Sequence, residues 1–324
     1  MTKFIKRALL FFSIIIIVIA ILIFIQPVIY RLMPSDFDRH LVYEKYVEES
    51  PSKNTSDAVI FGDSRAMFGI DTRIIKKQLH REKDIYNFAS VGQNIYESSY
   101  FYSKVKPVTK LVIQCSGPSF FTEETKHNLP DPKAISMYLS GYRMDLATKK
   151  LIPQYNRFFD NGELSNYYSA RSYFVTYLHN LLRPVFDDEV FDDKSRSSRF
   201  FPHHYTKDRL KHYDTLIKTN CDGYVYKSAP KSQLEFVRKS YGFFAGRNIK
   251  YVFVLMPVNP DVCNEGFDYY KKIAAELRSI DGLMVVDLSH LLPAGYFYDN
   301  THVNKRGAKI LSNALADGLR GYNF

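Results

Sequence analysis

The sequence predicts an α/β fold: a three-layer α/β/α sandwich on a five-stranded, mainly parallel sheet, broken by one long insertion. Three observations carry that expectation. Short apolar runs at 58–61, 85–88, 110–118, 248–257 and 283–287 have the length of buried strands. Segments with apolar residues at helical spacing separate them, and strand-helix alternation is the pattern of a parallel sheet covered on both faces. Between about 120 and 231 the alternation stops, then resumes. With 46% hydrophobic and 24% charged residues, the chain can bury one substantial core or two modest ones.

Residues 8–25 carry no charge and a single hydroxyl. At roughly 1.5 Å per residue they span about 27 Å, close to a bilayer core. The run is too long for an ordinary signal-peptide apolar region, and Gln26-Pro27-Val28-Ile29-Tyr30 offers no small-x-small cleavage site. Residues 1–31 are therefore expected to form a cytoplasmic tip and a single transmembrane anchor. Lys3, Lys6 and Arg7 precede the span and only Arg31 follows closely, which leaves the amino terminus in the cytoplasm and the carboxyl terminus outside the cell membrane. Residues 32–56 read as a polar linker and 57–324 as the extracytoplasmic domain. Of the net charge of +10, those four cations supply four, leaving +6 beyond the anchor. A basic exported domain suits an anionic envelope or glycan, and equally an ordinary basic surface. Nucleic acid is not an expected partner, given the side of the membrane and the lack of a binding motif.

After the strand at 58–61, a helix is expected from Thr72 with Ile74, Ile75 and Leu79. The strand at 85–88 leads through Ala89-Ser90-Val91-Gly92-Gln93-Asn94 into a helix bearing Tyr96, Tyr100 and Val105. The third strand closes on Gln114-Cys115-Ser116-Gly117. The insertion at about 120–231 is dense in aromatics, such as Tyr138, Tyr142, Phe158 and Tyr167, and reads as a lid or partner surface. Its Asp187-Asp188-Glu189 and Asp192-Asp193 stand beside Lys194 and Arg196 and read as a solvated loop, as does His203-His204, so no metal is expected. Leu234, Val237, Tyr241 and Phe244 mark the next helix, 248–257 the strongest strand, and Phe267, Tyr270, Ile273, Ala274 and Leu277 a further helix. Asp287 ends the last strand as a loop-holding acid. An amphipathic helix with Ile310, Leu311, Ala314, Leu315 and Leu319 on one side completes the chain. Cys115, Cys221 and Cys263 show no metal-ligand spacing, and Cys115 reads as a small buried residue.

Two stretches carry candidate chemistry. Gly62-Asp63-Ser64 lies on a strand-to-helix turn, which lifts the serine off the sheet and aims free backbone N–H groups at whatever it is bonded to. Far downstream, Asp299 stands three residues before His302, so the acid can turn back onto one imidazole nitrogen while the other faces a serine. Loops at the carboxyl ends of parallel strands are where such groups meet.

Together, Gly62-Asp63-Ser64 and Asp299-x-x-His302 with Asn304 and Gly307 resemble the first and last sequence blocks of the SGNH (GDSL-type) hydrolase superfamily. The resemblance implies Ser64, Asp299 and His302 as catalytic residues. It also implies Gly92, at the position of a second block, as an oxyanion donor beside the Ser64 amide, although a turn glycine would look the same. The Gly-x-Asn-Asp pattern of a third block is absent. Its donor is left open among Gln114, Ser116, a backbone N–H and Asn94.

That departure, the anchor and the insertion are similar in layout to anchored members that work in polysaccharide O-acetylation and teichoic-acid D-alanylation. The implied function is a serine acyltransferase or acyl-esterase acting on a cell-surface polysaccharide through an acyl-Ser64 intermediate, beside a multi-spanning O-acyltransferase. The alternatives are a simple anchored ester or lipid hydrolase and a non-catalytic glycan-binding scaffold. No cofactor is required by any of them.

Overall fold

The computed structural model describes residues 2–32, 56–90, 92–117, 119–122, 146–151, 209, 231–262 and 266–321. β1 (Ser56–Phe61), β2 (Asp84–Asn87), β3 (Leu111–Ser116), β4 (Lys250–Leu255) and β5 (Met284–Asp287) form one sheet in the order β2-β1-β3-β4-β5. Every neighbouring pair is parallel. The chain moves outward from β1 to β2, then returns to β3 on the other side of β1. In open α/β sheets such a reversal leaves a crevice at the carboxyl ends of the two strands.

The helices are α1 (Thr2–Leu32), α2 (Ser64–Gly69), α3 (Thr72–Gln78), α4 (Ile95–Ser98), α5 (Ser119–Thr122), α6 (Leu146–Leu151), α7 (Lys231–Ala245), α8 (Gly266–Arg278) and α9 (Lys305–Arg320). Side chains alternate across the sheet with the period of two that strands impose. Ala58, Ile60, Ile113, Val252 and Val254 face one way, packing with Ile75 of α3 and Leu311, Leu315 and Leu319 of α9. Val59, Phe61, Val112, Tyr251 and Phe253 face the other way, packing with Phe236 and Phe244 of α7 and Tyr270 and Ile273 of α8.

The sequence pattern places the first helix of the domain at Thr72, but α2 precedes it and begins at Ser64 itself. Six residues ending in Gly69 are too few to show a helical period. The helix expected to reach Val105 is α only as far as Ser98, then tightens into a 3-10 turn over Ser99–Lys104. In α9 the buried stripe is Ala308, Leu311, Ser312, Leu315 and Leu319, whereas Ile310, expected on it, is 36% exposed. Asp287 holds the loop after β5, accepting from Ser289 N at 3.1 Å and Ser289 Oγ at 2.6 Å.

α1 is one continuous helix of 31 residues. Its side chains are described only at residues 4–18, 20 and 21, fewer than a bilayer span requires, and among the described residues no helix is long and apolar enough to cross a membrane. Phe4, Leu9, Leu10, Phe11, Phe12, Ile16 and Ile17 are all exposed. Of the linker expected over 32–56, residues 33–55 lie outside the described residues, as do Cys221, Cys263, the acidic run, His203-His204 and most of the insertion, while Leu32 ends α1 and Ser56 opens β1.

Candidate active site

β1 gives way to a turn at Gly62, with φ +156°, where a Cβ would lie 2.9 Å from Ala66 Cβ, Cys115 Cβ and Cys115 O. Only glycine lets the turn pass so close to β3. Asp63 caps α2: its Oδ1 accepts from Arg65 N at 2.9 Å, and its backbone carbonyl accepts from Ala66 N and Met67 N. Ser64 is the first residue of α2, at the carboxyl end of β1 and beside the β1/β3 reversal.

The second half of the site is a tight loop leading into α9. Phe297 and Val303 form an antiparallel bridge, and Tyr298 N donates to His302 O at 2.8 Å. Inside the loop, Asp299 Oδ1 accepts from Thr301 N at 2.7 Å and His302 N at 2.6 Å. Asn304 caps α9 through Gly307 N at 3.0 Å and donates from Nδ2 to Gly295 O at 3.1 Å. Gly307 has no room for a side chain, since a Cβ would meet Tyr296 O and Val303 Cβ. Asn259, buried after β4, reaches over from the sheet and donates to Asp299 O at 3.1 Å.

The fold brings Ser64, His302 and Asp299 into one line. His302 Nε2 lies 2.8 Å from Ser64 Oγ, and His302 Nδ1 lies 2.7 Å from Asp299 Oδ2. A carboxylate can only accept, so Nδ1 carries the proton and Nε2 is the basic nitrogen facing the serine hydroxyl. Thr301 Oγ1, 3.2 Å from Nδ1, sits beside the same contact. Phe68, one turn along α2 from Ser64, packs edge-on against the imidazole with ring centroids 5.4 Å apart. Ser312 of α9 accepts from Asp71 N at 2.8 Å, joining the segment after α2 to the helix that follows His302.

Burial pushes the Asp299 carboxyl up, but the His302 hydrogen bond and charge, with the His302 and Thr301 amides, outweigh it and leave the group below its ordinary value. Asp299 is therefore ionised wherever the imidazole works. Cys115, under the turn, is free and buried, and desolvation together with the Asp63 charge raises its thiol well above the usual range. It is not a competing nucleophile.

Gly92 lies in the loop after β2, which is drawn to the serine turn by Ser90 N donating to Gly62 O at 3.0 Å. Ser90 Oγ, Gln93 and Ser98 Oγ form a hydrogen-bonded chain that fixes this loop. Gly92 has φ +62°, so the turn itself favours glycine. Neither the Ser64 nor the Gly92 amide has an acceptor among the described residues. The three open side chains are otherwise engaged. Asn94 caps α4 in a reciprocal pair with Glu97, and Gln114 is buried, accepting from Tyr102 OH at 2.9 Å and donating to Cys115 O at 3.1 Å. Ser116 Oγ donates to Gly117 O at 3.1 Å. Arg65 instead lays its guanidinium where a Gly117 side chain would be. Its buried Nη1, 3.6 Å from Asp63 Oδ2, has no hydrogen-bond acceptor among the described residues.

Sequence reasoning missed Asn87, which ends β2 and donates to Ala66 O at 3.1 Å and Ile70 O at 3.3 Å while accepting from Ala89 N at 3.0 Å. A polar residue between Tyr86 and Phe88 at a strand end was its signal. Ser312, a hydroxyl on the apolar stripe of α9, was a similar one. Among the described residues no cluster of His, Cys, Asp and Glu could hold a metal ion. No protein-family model matches the chain, and no curated protein matches it either.

Proposed function

We propose that this chain is a membrane-anchored serine acyltransferase or acyl-esterase of the SGNH (GDSL-type) hydrolase superfamily, acting on O-acyl groups of an extracytoplasmic polysaccharide. The observation that carries this reading is the run Ser64 Oγ, His302 Nε2, His302 Nδ1, Asp299 Oδ2, with contacts of 2.8 and 2.7 Å. Ser64 Oγ attacks the acyl carbonyl as its proton passes to His302 Nε2. The Ser64 and Gly92 amides receive the developing oxyanion, and the leaving alcohol departs with the proton from Nε2. His302 then deprotonates the second acceptor, a sugar hydroxyl or water, which takes the acyl group and frees Ser64. Asp299 holds the imidazole in its Nδ1–H tautomer and stabilises the imidazolium through both transfers. The chemistry draws on no cofactor.

Support for the location comes from the uncharged run 8–25, its place within the continuous α1, and the exposed apolar side chains of that helix. The +6 charge beyond the anchor suits an anionic envelope polymer, and a multi-spanning O-acyltransferase would supply acyl groups to such an anchored enzyme. The test is acyl partition. Full-length protein given a small activated acetyl ester and an envelope polysaccharide should place acetyl on polymer hydroxyls, and Ser64→Ala should abolish this. Turnover to free acetate alone, unchanged by added polymer, would make the protein a simple hydrolase. Undiminished turnover by Ser64→Ala would remove the catalytic reading.

A further inference from the structure

A second built feature lies away from the serine. Thr72, Arg73, Lys76, Lys77, His80, Arg81, Asp84 and Ile85 line an open pocket of about 400 Å³ that runs along α3 to the start of β2. Lys76 Nζ is 2.7 Å from Asp84 Oδ1, and Arg73 Nη2 is 2.7 Å from Asp71 Oδ2. With Lys77 and Arg81 the pocket carries four permanent cations, of which Arg73 and Lys76 are paired with carboxylates. Lys77 has no carboxylate partner among the described residues. A concave cationic surface with fixed guanidinium and ammonium donors suits an oxyanion, above all a phosphate.

Position narrows the choice. All strands run parallel, so Asp84 lies at the amino-terminal end of the sheet, opposite the end that carries Ser64. Ser56, the first residue of β1, is in register with Asp84. The chain therefore enters the domain from α1 and the following linker directly beside the basic pocket. If α1 spans the bilayer, the amino-terminal end of the sheet is the end at which the domain is tethered.

We propose that this pocket is a second membrane contact. It seats the phosphate groups of anionic phospholipids, so that the domain stands on the bilayer with the Ser64 end of the sheet turned toward the envelope polymer. The inference rests on the anchor part of the proposed function and not on the chemistry at Ser64. Neutralising a cation near an anionic surface weakens binding about five-fold per residue, so reversing two should cost well over twenty-fold.

The experiment uses the full chain, purified in detergent and reconstituted into phosphatidylcholine vesicles with or without about a third phosphatidylglycerol. Amide hydrogen exchange is then followed over residues 72–85. Anionic vesicles should slow exchange in this segment, and salt should reverse the effect as charge screening requires. Lys77→Glu/Arg81→Glu should lose the protection while melting as the parent does. Equal exchange on both vesicle types would overturn the proposal. So would protection by millimolar inorganic phosphate on neutral vesicles with no further effect of anionic lipid, which would mark a site for free phosphate. Protection by soluble polyphosphate but not by anionic vesicles would assign the pocket to a polymer and also overturn it. Retention by neutral vesicles reads the anchor separately. A chain left in the supernatant there would end the anchor reading, and the pocket would then be judged by whether anionic vesicles alone recover it.

Discussion

Asp299, Thr301 and His302 hold one another, whereas Ser64 is held by residues scattered along the chain. In the acid-base loop, one carboxylate takes two backbone amides and the imidazole within four residues. At the serine turn, the supports are Gly62 against Cys115, Asn87 from the end of β2, and Ser312 from α9. A self-contained ring of hydrogen bonds is set by local spacing. A turn built from distant neighbours exists only once the sheet has formed. Changes in the loop should therefore act on chemistry with the fold intact, and changes around the turn should act first on stability.

Asp299→Asn gives the largest contrast. The amide keeps an acceptor for the Thr301 and His302 amides but cannot accept from Nδ1–H and stabilise an imidazolium, so kcat should fall by about 10³–10⁴. Circular dichroism should still show the native fold. The pH dependence follows from the depressed carboxyl: its stabilisation is fully present above the unfolded value of about 3.9 and is lost as pH falls through the lower folded value. The Tm gap between parent and Asp299→Asn should narrow as pH falls below about 4. A gap that did not narrow there would mean that Asp299 is not the group described.

Next in size is Asn87→Ala. Two carbonyls and one amide lose a buried partner at the end of α2, which should cost about 2–4 kcal/mol in denaturant unfolding. Activity per folded molecule should also fall, because the lost bonds steady the helix that carries Ser64. Unchanged stability would show that the turn is held by local capping alone.

The same contrast explains what could be read beforehand. The five strands were legible because parallel strands buried on both faces leave continuous apolar runs. The acid and histidine were legible because their spacing alone makes their contact. α2 was not, since its register is imposed by Asp63 capping and by packing on α9 rather than by any period of its own. Nor were the roles of Asn87 and Ser312, whose partners lie 17 and 241 residues away. Ile310 misled because hydrophobicity was counted without the 100° step that separates it from Leu311.

The smallest expected effect separates a capping role from a catalytic one at Asn304. Its side chain closes α9 through Gly307 and pins the loop at Gly295 without touching His302. Asn304→Ala should cost about 1 kcal/mol of stability and less than ten-fold in kcat. A loss as large as that of Asp299→Asn would place Asn304 in the chemistry.

The central claim is that His302 activates Ser64 as a nucleophile. Its most direct test is intact-protein mass spectrometry after brief exposure to a small activated ester and quenching at low pH. The parent should carry one acyl group, mapped to Ser64. Ser64→Ala should carry none, and His302→Ala should acylate slower by about 10⁴-fold or more, with the double variant no worse than either single one. An adduct on another residue, or acylation of Ser64 at the parental rate in His302→Ala, would contradict it.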